Sequence, residues 1–122
     1  DGTQTRDFTF VTDVVNAFVT AAGSDVKNEV FNAGSGKPVS VNRITELLGG
    51  EVIHIPKRPG EPDVTHADIS KIRNMLGGAP KVSIEEGVGI LKERIEDFRE
   101  APVWTPDSIR EATKSWFTYL QR

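Results

Sequence analysis

Polar and apolar residues alternate from Arg6 to Val11, with Phe8 and Phe10 on one side, which predicts a short strand or extended entry segment. The period then lengthens. Val14, Val15, Phe18, Ala21 and Ala22 form a helical stripe behind Thr12 or Asp13, either of which can cap it, and Gly23-Ser24 ends it. Glu29 to Asn32 predicts a short strand, followed by a glycine-rich turn from Ala33 to Pro38. Ser40 predicts the cap of a helix with the stripe Val41, Ile44, Leu47 and Leu48, stopped by Gly49-Gly50. Val52 to Ile55 predicts another strand. Pro56 to Thr65 holds three prolines, so it is a loop with a defined path.

Asp68 predicts the cap of a helix through Leu76, closed by Gly77-Gly78. Ser83 opens the clearest helix, with Glu85 and Glu86 in its first turn, where the helix dipole favours negative charge. Its apolar face is Ile84, Val88, Leu91, Ile95 and Phe98. Gly87 and Gly89 weaken it by about 1 kcal/mol each relative to alanine, and their small size permits close packing. Ala101 to Pro106 is a linker, with Trp104 between two prolines. A last helix follows, with Ile109, Ala112, Trp116 and Leu120 at helical spacing. The pattern predicts an α/β domain over residues 1–100 with short strands and about five helices, and a separate helical arm over 101–122.

Composition narrows the classes. The 122 residues fit one domain, and the 37% hydrophobic content suffices for a modest core. A formal charge of -3 and a pI near 5.4 argue against a nucleic-acid partner, whose phosphates call for a basic excess. No apolar run approaches the ~20 residues of a membrane span. The absence of cysteine excludes disulfides and thiolate metal sites and points to an intracellular, cytoplasmic location. Asp1 to Thr5 reads as a turn running into a strand, an abrupt place to begin, which predicts further sequence upstream.

Candidate chemistry concentrates in Lys57-Arg58-Pro59-Gly60-Glu61-Pro62-Asp63. Arg58 offers a planar fork for phosphate oxygens. Pro59 and Gly60 force a tight turn, so Arg58 and Glu61 can point toward the same space. A cation and a carboxylate held together match a nucleoside diphosphate: the cation takes phosphate, and the carboxylate accepts from ribose hydroxyls. A solvated loop with a surface ion pair fits the same residues. Arg6 could be a second phosphate clamp oriented by Asp7, although the pair alone reads better as a structural ion pair. Asn32 ends a predicted strand, where α/β sheets open onto ligand crevices, and could donate to a phosphate or cap the turn.

Other signals are negative. Gly34-Ser35-Gly36 is not a dinucleotide fingerprint, because Val39 stands where the third glycine belongs and no helix starts directly. Lys37 is not placed as in a P-loop. His54 and His66, the only histidines, lack partner ligands at metal spacing and read as ordinary polar residues. There is no nucleophile elbow, and Tyr119, the only tyrosine, has no lysine following it. No catalytic, cofactor-binding or metal-ligating residue is assigned to the chain.

Four blocks taken together resemble the extended short-chain dehydrogenase/reductase family. They are Asp1-Gly2-x-Gln4-x-Arg6-Asp7-Phe8 through Val11-x-Asp13-Val14-Val15-x-Ala17; Val30-Phe31-Asn32-x-Gly34-x-Gly36 with Ser40-Val41; Arg58-Pro59-Gly60-Glu61 with Ala67-Asp68-Ile69-Ser70-Lys71; and Leu76-Gly77-x-x-Pro80 with Ile84-Glu85-Glu86-Gly87. Their order and spacing are similar to the C-terminal part of UDP-glucose 4-epimerase-like and dTDP-glucose 4,6-dehydratase-like enzymes, from Asp1 to about Phe98. The family often has tryptophan where Gly78 stands, a departure that bears on local packing.

The resemblance implies a small C-terminal substrate-binding domain without the Rossmann half, which carries the NAD site and a Tyr-x-x-x-Lys catalytic pair. By motif position, Arg6 and Arg58 match arginines near the diphosphate, Glu61 an acidic residue at the ribose, and Asn32 a strand-end residue near the phosphates. The implied role is to bind and orient a UDP- or dTDP-sugar in an NAD-dependent epimerase or dehydratase, with no NAD in this chain and no turnover by it alone. The implied partners are the N-terminal Rossmann domain and further copies in a homo-oligomer. A stand-alone sugar-nucleotide binding module and a structural or oligomerising domain are the alternatives.

Overall fold

Thr5–Arg6 (β1) pairs antiparallel with Val39–Ser40 (β2), Thr5 opposite Ser40 and Arg6 opposite Val39. The computed structural model describes residues 1–57 and 59–120. The turn before β1 is held by the Asp1 carboxylate, which accepts from the Thr3 amide at 3.0 Å and the Thr3 hydroxyl at 2.7 Å. The strand expected to reach Val11 stops at Arg6. Beyond it, the Asp7 carboxylate is committed to amides elsewhere, and the backbone leaves the ladder.

Helix α1 spans Val11–Ala22, with Phe10 as an extended N-cap that makes no side-chain cap bond and Gly23 as C-cap. Neither Thr12 nor Asp13 caps it. Asp13 instead lies inside α1, buried, and accepts from the amides of Lys81 and Val82, each at 3.0 Å. This bond fixes the rotation of the helix. Ala17 and Ala21 turn inward with Asp13, whereas Val15 and Phe18 of the expected buried stripe face out with Val11 and Val19, and Phe18 is 73% exposed. The strands expected at 29–32 and 52–55 do not form among the described residues. Both runs lack a neighbouring edge to bond, and Val30 is 83% exposed.

The capped elements follow the pattern more closely. Ser40 accepts from the Arg43 amide at 3.2 Å and opens α2, Val41–Leu48, which Gly49 ends at φ +78°. Helix α3 spans Ser70–Leu76 with Ile69, not the expected Asp68, at its N-cap and no side-chain cap bond; the Asp68 carboxylate accepts from the Ser70 amide at 2.9 Å, and Gly77 closes the helix in the left-handed conformation. Ser83 accepts from the Glu86 amide at 3.1 Å and opens α4, Ile84–Glu93, which packs on α2. The expected run to Phe98 breaks after Glu93, and Ile95–Phe98 is a tighter three-residue-per-turn segment. Arg94 pairs with Asp97 at 2.7 Å, an i,i+3 contact that suits that tighter winding. Gly87 permits the expected close approach, since a Cβ there would meet the Phe10 ring at 2.9 Å, whereas Gly89 faces open space.

Ile69, Ile72 and Val88 form the small buried core. The accessible surface is 9395 Å², against roughly 6,500 Å² for a compact monomer of this mass. Helix α5, Pro106–Leu120, starts with Thr105 and Ser108 bonding reciprocally: the Thr105 amide donates to Ser108 Oγ at 2.8 Å and the Ser108 amide to Thr105 Oγ1 at 3.1 Å. The indole of Trp116 on α5 donates to the Pro59 carbonyl at 2.6 Å. The Leu120 side chain, named in the expected stripe, lies outside the described residues. Among the described residues, the result is an α/β arrangement of five α-helices and a two-stranded sheet. Among the described residues, no helix is long and apolar enough to cross a membrane.

Candidate functional site

Strand β1 organises the charged loop. Thr5 donates its amide to Asp63 O at 2.9 Å and accepts from the Thr65 amide at 3.2 Å, with a parallel bridge to Val64. This second ladder draws residues 63–65 against the strand that carries Arg6. Arg6 Nη2 thereby reaches Glu61 Oε1 at 3.3 Å, and Nη1 donates to the Thr5 carbonyl at 2.8 Å. Both side chains of the ion pair are only about a fifth to a quarter exposed, at 22% and 24%.

Glu61 lines a cleft of about 340 Å³ with Thr3, Gln4, Lys57, Asp63 and Val64. Lys57 Nζ donates to Asp63 Oδ1 at 2.8 Å across well-exposed side chains. That hydrogen bond, with its charge, raises the Lys57 ammonium above its ordinary value and holds the Asp63 carboxyl below its own. A guanidinium carries five N–H donors, more than the two contacts of Arg6 use. A cation backed by a carboxylate, beside hydroxyl and amide side chains, can take an anion and a polyhydroxyl group together.

The expected site residues are therefore partly assembled. Arg6 and Glu61 meet, from opposite sides of a separation of 55 residues. Arg58 lies outside the described residues. Asn32 does not line this cleft; its Nδ2 donates to the Asp68 carbonyl at 3.3 Å, tying the end of one segment to the entry of α3.

Asp7 corrects the sequence reading. It neither pairs with Arg6 nor orients it. Its carboxylate accepts from the amides of Ser35 (2.7 Å), Gly36 (3.1 Å) and Ala67 (3.0 Å), and from the Ser35 hydroxyl. A glycine-rich turn presents amides, but the sequence gives no sign of which acceptor takes them. The same bonds bear on how this turn's amides are used. A dinucleotide pyrophosphate needs such amides for itself. Here Asp7 holds them, and a Cβ at Gly34 would lie 2.5 Å from that of Ala67. The turn packs against protein and its amides are committed to Asp7.

Two further assignments follow. His66 Nε2 sits 3.2 Å from the Gly36 carbonyl, and among the described residues no group of three His, Asp or Glu side chains could hold a metal ion. Gly78 lines a second cleft of about 190 Å³ with Ala17, Ile69 and Ile72, beside α1 and α3.

Comparison with known proteins bears on the family. Residues 1–34 match the NAD dependent epimerase/dehydratase family. The chain is 39% identical over 114 residues to the UDP-glucuronate 4-epimerase of Thermodesulfobacterium geofontis, covering 84% of this chain and 35% of that protein. Its fold resembles the UDP-glucose 4-epimerase of Thermotoga maritima, solved with UDP-glucose, with a TM-score of 0.73 and 36% identity over 80% of this chain and 33% of the other. It also resembles the UDP-glucuronic acid 4-epimerase of Bacillus cereus, solved with UDP-glucuronic acid and NAD, with a TM-score of 0.70 and 32% identity over 80% of this chain and 34% of the other. The chain spans about a third of the length of the curated relatives it matches. On these matches and the four ordered sequence blocks, the chain is an epimerase-like part of the extended short-chain dehydrogenase/reductase family.

Proposed function

We propose that this chain binds and orients the nucleoside diphosphate of a nucleotide sugar, as the substrate half of an NAD-dependent epimerase or dehydratase. The observation that carries the reading is the Arg6–Glu61 pair, drawn together by the β1 ladder, of which Glu61 lines the cleft with Thr3, Gln4 and Lys57 and Arg6 stands behind it. Arg6 and Arg58 hold the phosphates, and Glu61 accepts from the ribose. Asn32, expected at the phosphate side, lies outside this cleft and supports the entry of α3 instead. The solved relatives that hold UDP-sugars support a ligand of that class.

In the intact enzyme, NAD held by a Rossmann half would supply the redox chemistry. A Rossmann half contributes the cofactor site and the base, and residues 1–100 with the arm 101–122 contribute binding, which lowers the entropy cost of aligning sugar and cofactor. Assembly as a homo-oligomer and a cytoplasmic location complete the proposal. In the full-length enzyme, Arg58→Ala is expected to weaken nucleotide-sugar binding by roughly 1.5–3 kcal/mol, the range for hydrogen bonds to a charged group. Lys57→Ala is expected to cost less, because Lys57 is well exposed and already paired with a solvated Asp63. Calorimetric titration with a UDP-sugar measures both, and equal losses would remove the clamp assignment.

A further inference from the structure

The loop from Lys57 to Asp63 is tied down at one end, where Asp63 and Val64 join the β1 ladder. Its turn is another matter. Gly60 adopts φ +75°, a conformation open chiefly to glycine, and glycine brings backbone freedom with it. Pro59 has no N–H to contribute to any ladder. Its carbonyl is instead bonded at 2.6 Å by Trp116 Nε1, 57 residues away. An indole N–H is a donor only, on a ring positioned by two torsions. Its mount is a helix of 15 residues whose first turn is closed by the Thr105–Ser108 bonds. The cleft residue Glu61 follows two positions after Pro59.

We propose that Trp116 is a positioning residue for the nucleotide-binding loop: its indole, carried by α5, holds the Pro59 carbonyl and thereby sets where Glu61 and its neighbours face the diphosphate. The C-terminal helix, which lies beyond the four ordered family blocks, is then a brace for the substrate site. The inference rests on the reading of this cleft as a nucleoside diphosphate site.

The test uses the full chain, with Trp116→Phe to keep the ring and remove the donor, and Trp104→Phe as the control for an exposed indole elsewhere. Loop freedom is read without ligand, as the rate of tryptic cleavage after Lys57, and the site is read by titration with UDP. Trp116→Phe is expected to speed that cleavage and weaken UDP about tenfold each, the effect of one lost hydrogen bond to a turn, at unchanged helicity. Trp104→Phe should do neither. If the cleavage rate after Lys57 is the same in Trp116→Phe and the parent chain, the brace is overturned. It is equally overturned if UDP affinity falls in Glu61→Gln and not in Trp116→Phe. UDP affinity indifferent to Glu61→Gln would instead overturn the reading of the site, with the cleavage rates still reporting on the brace. Truncation after Glu100 supplies a second variant lacking the same contact, expected to raise the cleavage rate as Trp116→Phe does.

Discussion

Asp7 joins segments 28 and 60 residues away through one carboxylate, and its protonation should therefore be felt across the molecule. Partial burial pushes the Asp7 carboxyl up. The Ser35 hydroxyl and the amides of Ala67, Ser35 and Gly36 together outweigh this and hold it below its ordinary value of 3.8. A depressed carboxyl stabilises the fold above its unfolded value, and the contribution disappears as pH falls through the lowered folded value. Asp7→Asn presents an NH2 group where an acceptor is required. It is expected to cost about 2 kcal/mol at neutral pH, the scale of hydrogen bonds to a charged group. The gap to the parent chain should narrow below the ordinary carboxylate value and close once Asp7 is protonated in the fold. Urea unfolding across acid pH measures it, and a gap independent of pH would show that charge is not what Asp7 contributes. The residue types at the candidate site were legible in the sequence, but their pairing was not. Arg6 and Glu61 stand out as a cation and an acid, yet only the ladder of Thr5 with Asp63 and Thr65 makes them partners. Asp7 stands next to Arg6 in sequence, and its acceptor role depends on amides that no local pattern reveals.

At the scale of elements, Gly87 and Gly89 occupy the same helix and should answer the same substitution with opposite signs. Alanine gains about 1 kcal/mol over glycine in a helix interior. At Gly89 nothing stands within 4 Å of a new Cβ, so Gly89→Ala should stabilise by nearly that amount. At Gly87 the new Cβ would press on the Phe10 ring at 2.9 Å, beside buried Val88. Overpacking of this kind costs about 1–3 kcal/mol, so Gly87→Ala should destabilise by about 1 kcal/mol net of the helix gain. Thermal melts of the two variants decide it, and stabilisation by both would mean that Phe10 moves aside freely. The helices were readable because their signals are local: Ser40, Ser83 and Gly77 act within four residues of themselves. The strands at 29–32 and 52–55 were not, because a strand is defined by its neighbour, and alternation does not say where that neighbour is. The rotation of α1 escaped for a related reason. A stripe of Val14, Val15 and Phe18 looks like the buried face until Asp13 is found bonded to Lys81 and Val82.

For the whole molecule, the decisive quantity is how much apolar surface the chain leaves in water. Val11, Val15, Phe18 and Val19 form one exposed face of α1, and Val30 and Ile53 lie on extended runs that pair with nothing among the described residues. The core of Ile69, Ile72 and Val88 is small beside them. Burying apolar surface contributes roughly 25 cal/mol per Å², so a face of this kind favours any arrangement that covers it, and exposed patches of a few hundred Å² are where association begins. The isolated chain is therefore expected to self-associate with concentration and to melt with weak cooperativity. Phe18→Lys and Val15→Lys place charge on that face without touching Asp13, so they should shift the chain toward monomer with little loss of helix content. Truncation after Glu100 separates this cause from α5: if the α1 face drives association, the truncated chain still associates and the lysine variants do not. Light scattering over a dilution series reads the outcome. A monomer at every concentration, with a sharp melt well above room temperature, would mean that this face is stable in water as it stands.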